Sequence, residues 1–374
     1  MNQRFYIFVL FISLSIFAGC TTSQQLECDD AINYSQQGMN LINAEEYQLA
    51  IDAFSCAIEN NPENADNYYY RAGLYFLVTE WQLAIDDYEM LLSLIGEDSE
   101  YYIDAYLFTG IAQSKVQDYE NAIENVSLAL DYALDIATDR QLAHVYYVRA
   151  IIYTELQDFD AAIEDFDRAL LLDFQALYLA ERGFTYALAG DLEAAEDNWL
   201  AALELDPDVS ERFRETAWRH GIGFEYDNAI EAVEKAILLD ELAGNVNWIN
   251  HYILAIAQAE IGQADDALEN ANLAFDIALE EGLTPESEMR LYTLYLARGN
   301  AYLQLEEYDL AMADVDSFLE VNETNPASYA LRADIYYELG DYDSAYADYT
   351  RAIALNGGFF DEEMEERYNE VKPD

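Results

Sequence analysis

Residues 157–173 read QDFDAAIEDFDRALLLD, and residues 340–356 read GDYDSAYADYTRAIALN. Each stretch opens acid–aromatic–acid, then places an alanine, then an aromatic four residues later. The phrase recurs nine times, with its alanine at Ala50, Ala84, Ala122, Ala162, Ala195, Ala229, Ala267, Ala311 and Ala345. Successive alanines stand 33 to 44 residues apart. Twelve residues before each comes a small residue: Gly38, Ala72, Gly110, Ala150, Gly183, Ala217, Ala255, Gly299 and Ala333. Seven residues after it another small residue is common, with Leu91 and Phe318 as exceptions. Four after it most units carry a large apolar residue: Phe54, Tyr88, Phe166, Trp199 or Tyr349. A repeat this regular overrides any count of domains from length.

Each unit holds two stretches with apolar residues at i, i+3, i+4 and i+7, the spacing of an amphipathic helix. A Gly or Ala at the crossing lets two helix backbones approach, and the large residue fills the space beside them. Asp158, Asp191 and Asp341 stand where the second helix starts, at its positive end. A lone helix pair cannot bury its apolar face, so neighbours must stack.

The phrase and its small–large pattern resemble the tetratricopeptide repeat over residues 31–359. The resemblance implies an all-α, right-handed superhelical solenoid of about nine helix–turn–helix repeats. FFDEEMEERYNEV at 359–371 sets Met364, Tyr368 and Val371 at helical spacing among acids, so residues 360–374 are expected to be an acidic capping helix and tail. A docking peptide is the other reading of that tail.

In tetratricopeptide proteins the first helix of each unit lines the concave face. Counting back from the small residues puts Tyr69, Phe76, Tyr147, Phe184, Arg214, Trp218, Tyr252, Asp334 and Tyr337 there as a candidate partner-binding groove. An aromatic and acidic groove suits a basic extended or helical segment, through ion pairs and cation–π contact. The Lys and Asn clamp used by chaperone-adaptor relatives is missing, Asn300 apart. With 31 Tyr in the chain, packing between repeats is the competing role for more than half of them.

The chain carries 74 acidic against 17 basic residues, a net charge of −57. Such a field repels nucleic acid and anionic headgroups. It attracts basic partners, or serves only to keep the protein soluble. The wealth of Tyr, Leu, Ile and Ala excludes disorder as its explanation.

The chain opens MNQRFYIFVLFISLSIFAGC. Arg4 precedes an apolar run from Phe5 to Ala18, the size of a secretory signal's apolar part and short for a membrane span. Phe17-Ala18-Gly19-Cys20 resembles the lipobox of bacterial lipoproteins, with Phe17 where Leu is usual. The resemblance implies a signal peptide at 1–19, a lipidated Cys20, and a short tether over 20–30. Several acyl chains on Cys20 would anchor the protein stably. The absence of Asp at position 21 favours the outer membrane or cell surface. Export would place Cys28 and Cys56 in an oxidising space. They fall near the start of one helix and the end of its partner, which admits a disulfide; two free thiols packed as small hydrophobes are the alternative.

The pattern breaks in four places. IGEDSEYYID at 95–104 lengthens one junction, and EEGLTPESEMR at 280–290 lengthens another. The third unit runs on into DYALDIATDRQL, implying a longer second helix. The sixth reads ERFRETAWRHGIGFEYDNA, where Gly221 and Gly223 should shorten the first helix. Its Arg212, Arg214, Arg219 and His220 are either an anion contact or internal partners for nearby acids.

The three His (144, 220, 251) fall in no metal or triad motif, and there is no Walker loop, GxGxxG or GxSxG. No cofactor, metal site or catalytic residue is expected. The sequence therefore reads as a non-enzymatic, membrane-anchored scaffold or adaptor in the bacterial cell envelope, taking another envelope or surface protein through a basic segment. A glycan- or small-ligand-binding surface lipoprotein is the alternative, and closure around Trp218 and Tyr252 would favour it. Partner identity and oligomeric state are not written in the sequence.

Overall fold

The computed structural model describes Cys28 and residues 33–44, 46–99, 101–222, 225–285, 288–358 and 362–373. The expected signal peptide, Cys20 and most of the expected tether lie outside the described residues. Among the described residues the chain is all helix and turn, with 19 α-helices and no strand. They form nine pairs and a final single helix.

Residues 24–209 form one compact unit and residues 210–374 another. The first holds α1 (Tyr34–Asn43), α2 (Tyr47–Asn60), α3 (Ala65–Leu77), α4 (Trp81–Leu94), α5 (Tyr102–Lys115), α6 (Tyr119–Ile136), α7 (Asp139–Glu155), α8 (Phe159–Leu172), α9 (Ala176–Leu188) and α10 (Leu192–Leu205). The second holds α11 (Val209–Ile222, from Ser210 on), α12 (Tyr226–Leu242), α13 (Trp248–Glu260), α14 (Ala264–Glu280), α15 (Met289–Gln304), α16 (Tyr308–Leu319), α17 (Pro326–Glu338), α18 (Tyr342–Asn356) and α19 (Glu362–Val371).

Local chemistry starts the second helices. Asp158, Asp191 and Asp341 accept hydrogen bonds from the backbone N–H groups of Ala161, Ala194 and Ser344. These caps satisfy donors that a helix start leaves unpaired. The long α6 follows the run-on of the third unit. Gly221 does not shorten α11, which keeps 14 residues and buries Gly221 in its last turn. Tertiary burial overrides its weak propensity there.

The small–large pairing sets the distance within a pair. A Cβ on Gly183 would sit 2.6 Å from Nε1 of Trp199, and one on Gly110 would sit 2.5 Å from Cγ2 of Val126. Each pair of residues is 16 positions apart, joining first helix to second. The aromatics beneath, Phe54, Phe166 and Tyr349, are fully buried.

A second 16-residue bridge runs beside the first. Arg71 donates to Asp87, Arg298 to Asp314 and Arg332 to Asp348, each through Nε and Nη2. In the fifth pair Arg182 Nε donates to Asn198 at 2.9 Å. Tyrosines flank these guanidinium groups: Arg71 lies 6.0 and 5.6 Å from the rings of Tyr68 and Tyr75. A substantial part of the scarce positive charge therefore staples helix pairs together.

The ends of the described chain are closed differently. Cys28 and Cys56 are bonded, S–S 2.04 Å, and pack with Tyr34, Ala53 and Ala57. At the other end α19 buries Met364 and Val371 in the core shared by α11 to α18.

Candidate functional site

Within each unit the first helices of successive pairs meet one another. α5 touches α7 and α7 touches α9; in the second unit α13 touches α15, α15 touches α17 and α17 touches α19. The row they form carries most of the expected groove residues.

In the first unit these residues are half-buried and packed on other aromatics. Tyr69 on α3 stacks on Tyr101 at 4.4 Å, and its hydroxyl donates to Asp104 at 3.2 Å. Phe76 meets Phe108 edge-on at 5.4 Å. Tyr147 on α7 stacks on Tyr178 of α9 at 4.7 Å, and Phe184 packs on Trp199 at 5.2 Å. Each of these rings packs on a neighbouring aromatic and keeps part of its surface solvated.

Two expected groove residues are not on the surface. Tyr252 is 0% exposed, set 6.1 Å from the Trp218 ring and 5.9 Å from the Trp248 ring, with its hydroxyl accepting from Thr293 of α15 at 2.9 Å. The next pair covers it. Asp334 is 1% exposed, accepting from Tyr349 at 2.5 Å and from Arg367 of α19 at 3.0 Å. The final helix covers that one.

Around Asp334 an arginine sits between two carboxylates and a tyrosine ring. Arg367 reaches Asp334 with Nη1 and Glu338 with Nη2 at 3.2 Å, and its guanidinium lies 4.9 Å from the Tyr337 ring centre. Tyr337 in turn donates to Glu370, whose carboxylate pushes the phenol up to about 12. Arg367 was not singled out by the repeat pattern. Its signal is that it is the one cation in EEMEERYNEV.

The sixth pair holds a different arrangement. Arg214 is held by Asp240 at 2.7 Å, Arg212 lies 3.9 Å from Glu215, and His220 lies 2.5 Å from Glu225. Internal pairing thus claims much of this cluster. A cleft of ≈ 410 Å³ nevertheless opens beside Trp218, lined by Glu211, Arg214, Glu215, Trp218, Arg219, Ile249, Ile253 and Arg290. Arg290 was missed by the repeat pattern, which says nothing about positions ahead of the small residue by nine.

Among the described residues no three His, Cys, Asp or Glu side chains are arranged to hold a metal ion. No helix of these residues is long and apolar enough to cross a membrane.

The tetratricopeptide-repeat profiles match residues 35–99, 143–175, 292–325 and 326–359. Tetratricopeptide repeat protein 16 of Macaca fascicularis is 25% identical over 178 residues, 44% of this chain and 20% of that protein. The chain thus spans about a fifth of the length of that curated relative. MamA of Desulfovibrio magneticus RS-1 is 17% identical, covering 48% of this chain and 97% of its own, with a TM-score of 0.42. A tetratricopeptide repeat protein of Parabacteroides merdae is 16% identical, covering 82% of this chain and 98% of its own, with a TM-score of 0.32.

Proposed function

Because this chain is a tetratricopeptide-repeat protein, we propose that it is a non-enzymatic interaction scaffold whose first-helix face takes a basic segment of another protein. One observation carries the chemistry. The chain's own α19 is held on α17 by an arginine placed between two carboxylates and a tyrosine ring. A partner helix presenting Arg or Lys beside apolar residues would be gripped the same way on the open first helices. The net charge of −57 would speed its approach and make binding fall with salt.

The scaffold is exported and tethered at Cys20 to a bacterial membrane, the outer membrane or cell surface, where it serves as an envelope adaptor. The apolar run ending at Cys20 and the Cys28–Cys56 bond, at home in an oxidising compartment, support this placement. Growth with a labelled fatty acid, followed by Cys20→Ser, tests the anchor: label must vanish with the cysteine.

Titration of the full chain with a synthetic peptide tests the docking chemistry. The peptide keeps the Met, Arg, Tyr and Val of α19 and replaces its glutamates with lysine. Saturable binding that weakens as salt rises supports the scaffold. Equal binding of a version with the Arg and Lys turned to Glu contradicts it.

A further inference from the structure

The cleft beside Trp218 has a floor and a rim of different character. Ile249 and Ile253 of α13 and the ring of Trp218 make an apolar floor. Arg214 and Arg219 of α11 and Arg290 of α15 stand at the rim, with Glu211 and Glu215. Three arginines meet two glutamates on this lining, in a chain whose total charge is −57; Asp240 and Glu288 beside it pair with Arg214 and Arg290.

The arginines are not equally occupied. Arg290 gives Nε and Nη2 to the two oxygens of Glu288, at 2.9 and 3.0 Å. Arg214 is anchored from behind through Nη1 alone, on Asp240 at 2.7 Å. Asp240 is already satisfied by Ser210 at 2.5 Å and Asn250 at 2.8 Å, so it needs no second bond from Arg214. Among the described residues Arg214 makes no hydrogen bond through Nε or Nη2. Among the described residues the one hydrogen bond of Arg219 goes to the Glu215 carbonyl, from Nε at 3.4 Å. A stapling arginine such as Arg71 spends the Nε edge on its aspartate; these two keep donors unspent, one of them fixed in place.

We propose that this cleft binds a small organic monocarboxylate with an aromatic body. The carboxylate takes the unspent guanidinium donors of Arg214 and Arg219, since a guanidinium's planar fork suits a carboxylate's two oxygens. The ring lies on Trp218 and the two isoleucines. A second negative charge would face Glu211, Glu215 and the field of the whole chain. The volume is in the range of small-molecule sites. This goes beyond the scaffold reading and does not depend on it, since the ligand has the opposite charge to the segment proposed for the other first helices.

The test is calorimetric titration of the full chain with 3-phenylpropanoate and with 3-phenylpropanamide. The acid is expected to bind about tenfold or more tighter than the amide, and Arg219→Gln to remove that preference, consistent with loss of one charge-assisted pair. Arg212→Gln, two turns away on the same helix, is expected to leave binding unchanged. Equal binding of acid and amide, no binding of the acid at millimolar concentration in low salt, or an unchanged preference in Arg219→Gln overturns the site. An acetylated pentapeptide ending in a free Phe carboxylate is the second arm; tighter binding of it than of phenylpropanoate overturns the small-molecule assignment.

Discussion

Arg149 donates through Nε and Nη2 to the two carboxylate oxygens of Asp165, at 2.6 and 3.0 Å, across the junction of α7 and α8. Both side chains are largely shielded, 14% and 4% exposed. Removing one partner strands the other charge. Arg149→Met is therefore expected to cost about 3–5 kcal/mol in urea unfolding, and Arg149→Met with Asp165→Leu to recover most of it. Asp165→Asn should cost less than Asp165→Ala, because an amide oxygen still accepts from Nε, as Asn198 does from Arg182. A double variant as unstable as the single one would show that the charge pair contributes more than its packing.

Gly183 and Gly299 occupy the same slot in different pairs and should respond to alanine with opposite sign. At Gly183 the added methyl would meet Trp199 at 2.6 and 2.7 Å and the Ala195 carbonyl at 3.1 Å. Gly183→Ala is expected to destabilise by about 1–3 kcal/mol through forced repacking. At Gly299 the nearest atom, Cγ2 of Val315, is 3.4 Å away. Gly299→Ala is expected to stabilise by about 0.5–1 kcal/mol, as Gly is a poor helix interior residue. Thermal unfolding of the two variants side by side settles the comparison.

Glu288 accepts two hydrogen bonds from Arg290 and one from the Arg290 backbone, which caps α15. The Arg290 side chain, ahead of any other influence, holds this carboxyl below its ordinary value of 4.5. A carboxyl depressed on folding contributes stability in full above its unfolded value. That contribution fades as pH falls through 4.5 toward the folded value, because the unfolded chain takes up the proton first. The stability difference between the native chain and Glu288→Gln is expected to be largest at neutral pH and to shrink below pH 4.5. A difference that grew on acidification would reverse the sign.

The repeat phase, the nine pairs and the capping aspartates were legible because each rests on residues a few positions apart. So was the crossing of Gly183 with Trp199, at a fixed 16-residue offset where most units set a large residue against a small one. The Arg149–Asp165 bridge uses that offset and was equally written in the chain. It went unread because each acid looked alike among 74. Tyr252 and Asp334 were misplaced for a different reason. Helical spacing assigns a residue to a face, but burial depends on what the next element lays over it. Thr293 and Arg367, 41 and 33 residues further on, decide those two cases. The cleft beside Trp218 has the same non-local origin, since Arg290 arrives from α15.

Hydrogen exchange read by mass spectrometry, with and without the lysine-substituted α19 peptide, tests the docking face most directly. If basic segments bind the first-helix row, added protection should fall on α3, α5, α7 and α9, and on α13, α15 and α17. The second helices should be unchanged, and the added protection should disappear in high salt. Protection confined to the second helices, or none while the peptide is bound, would contradict the account.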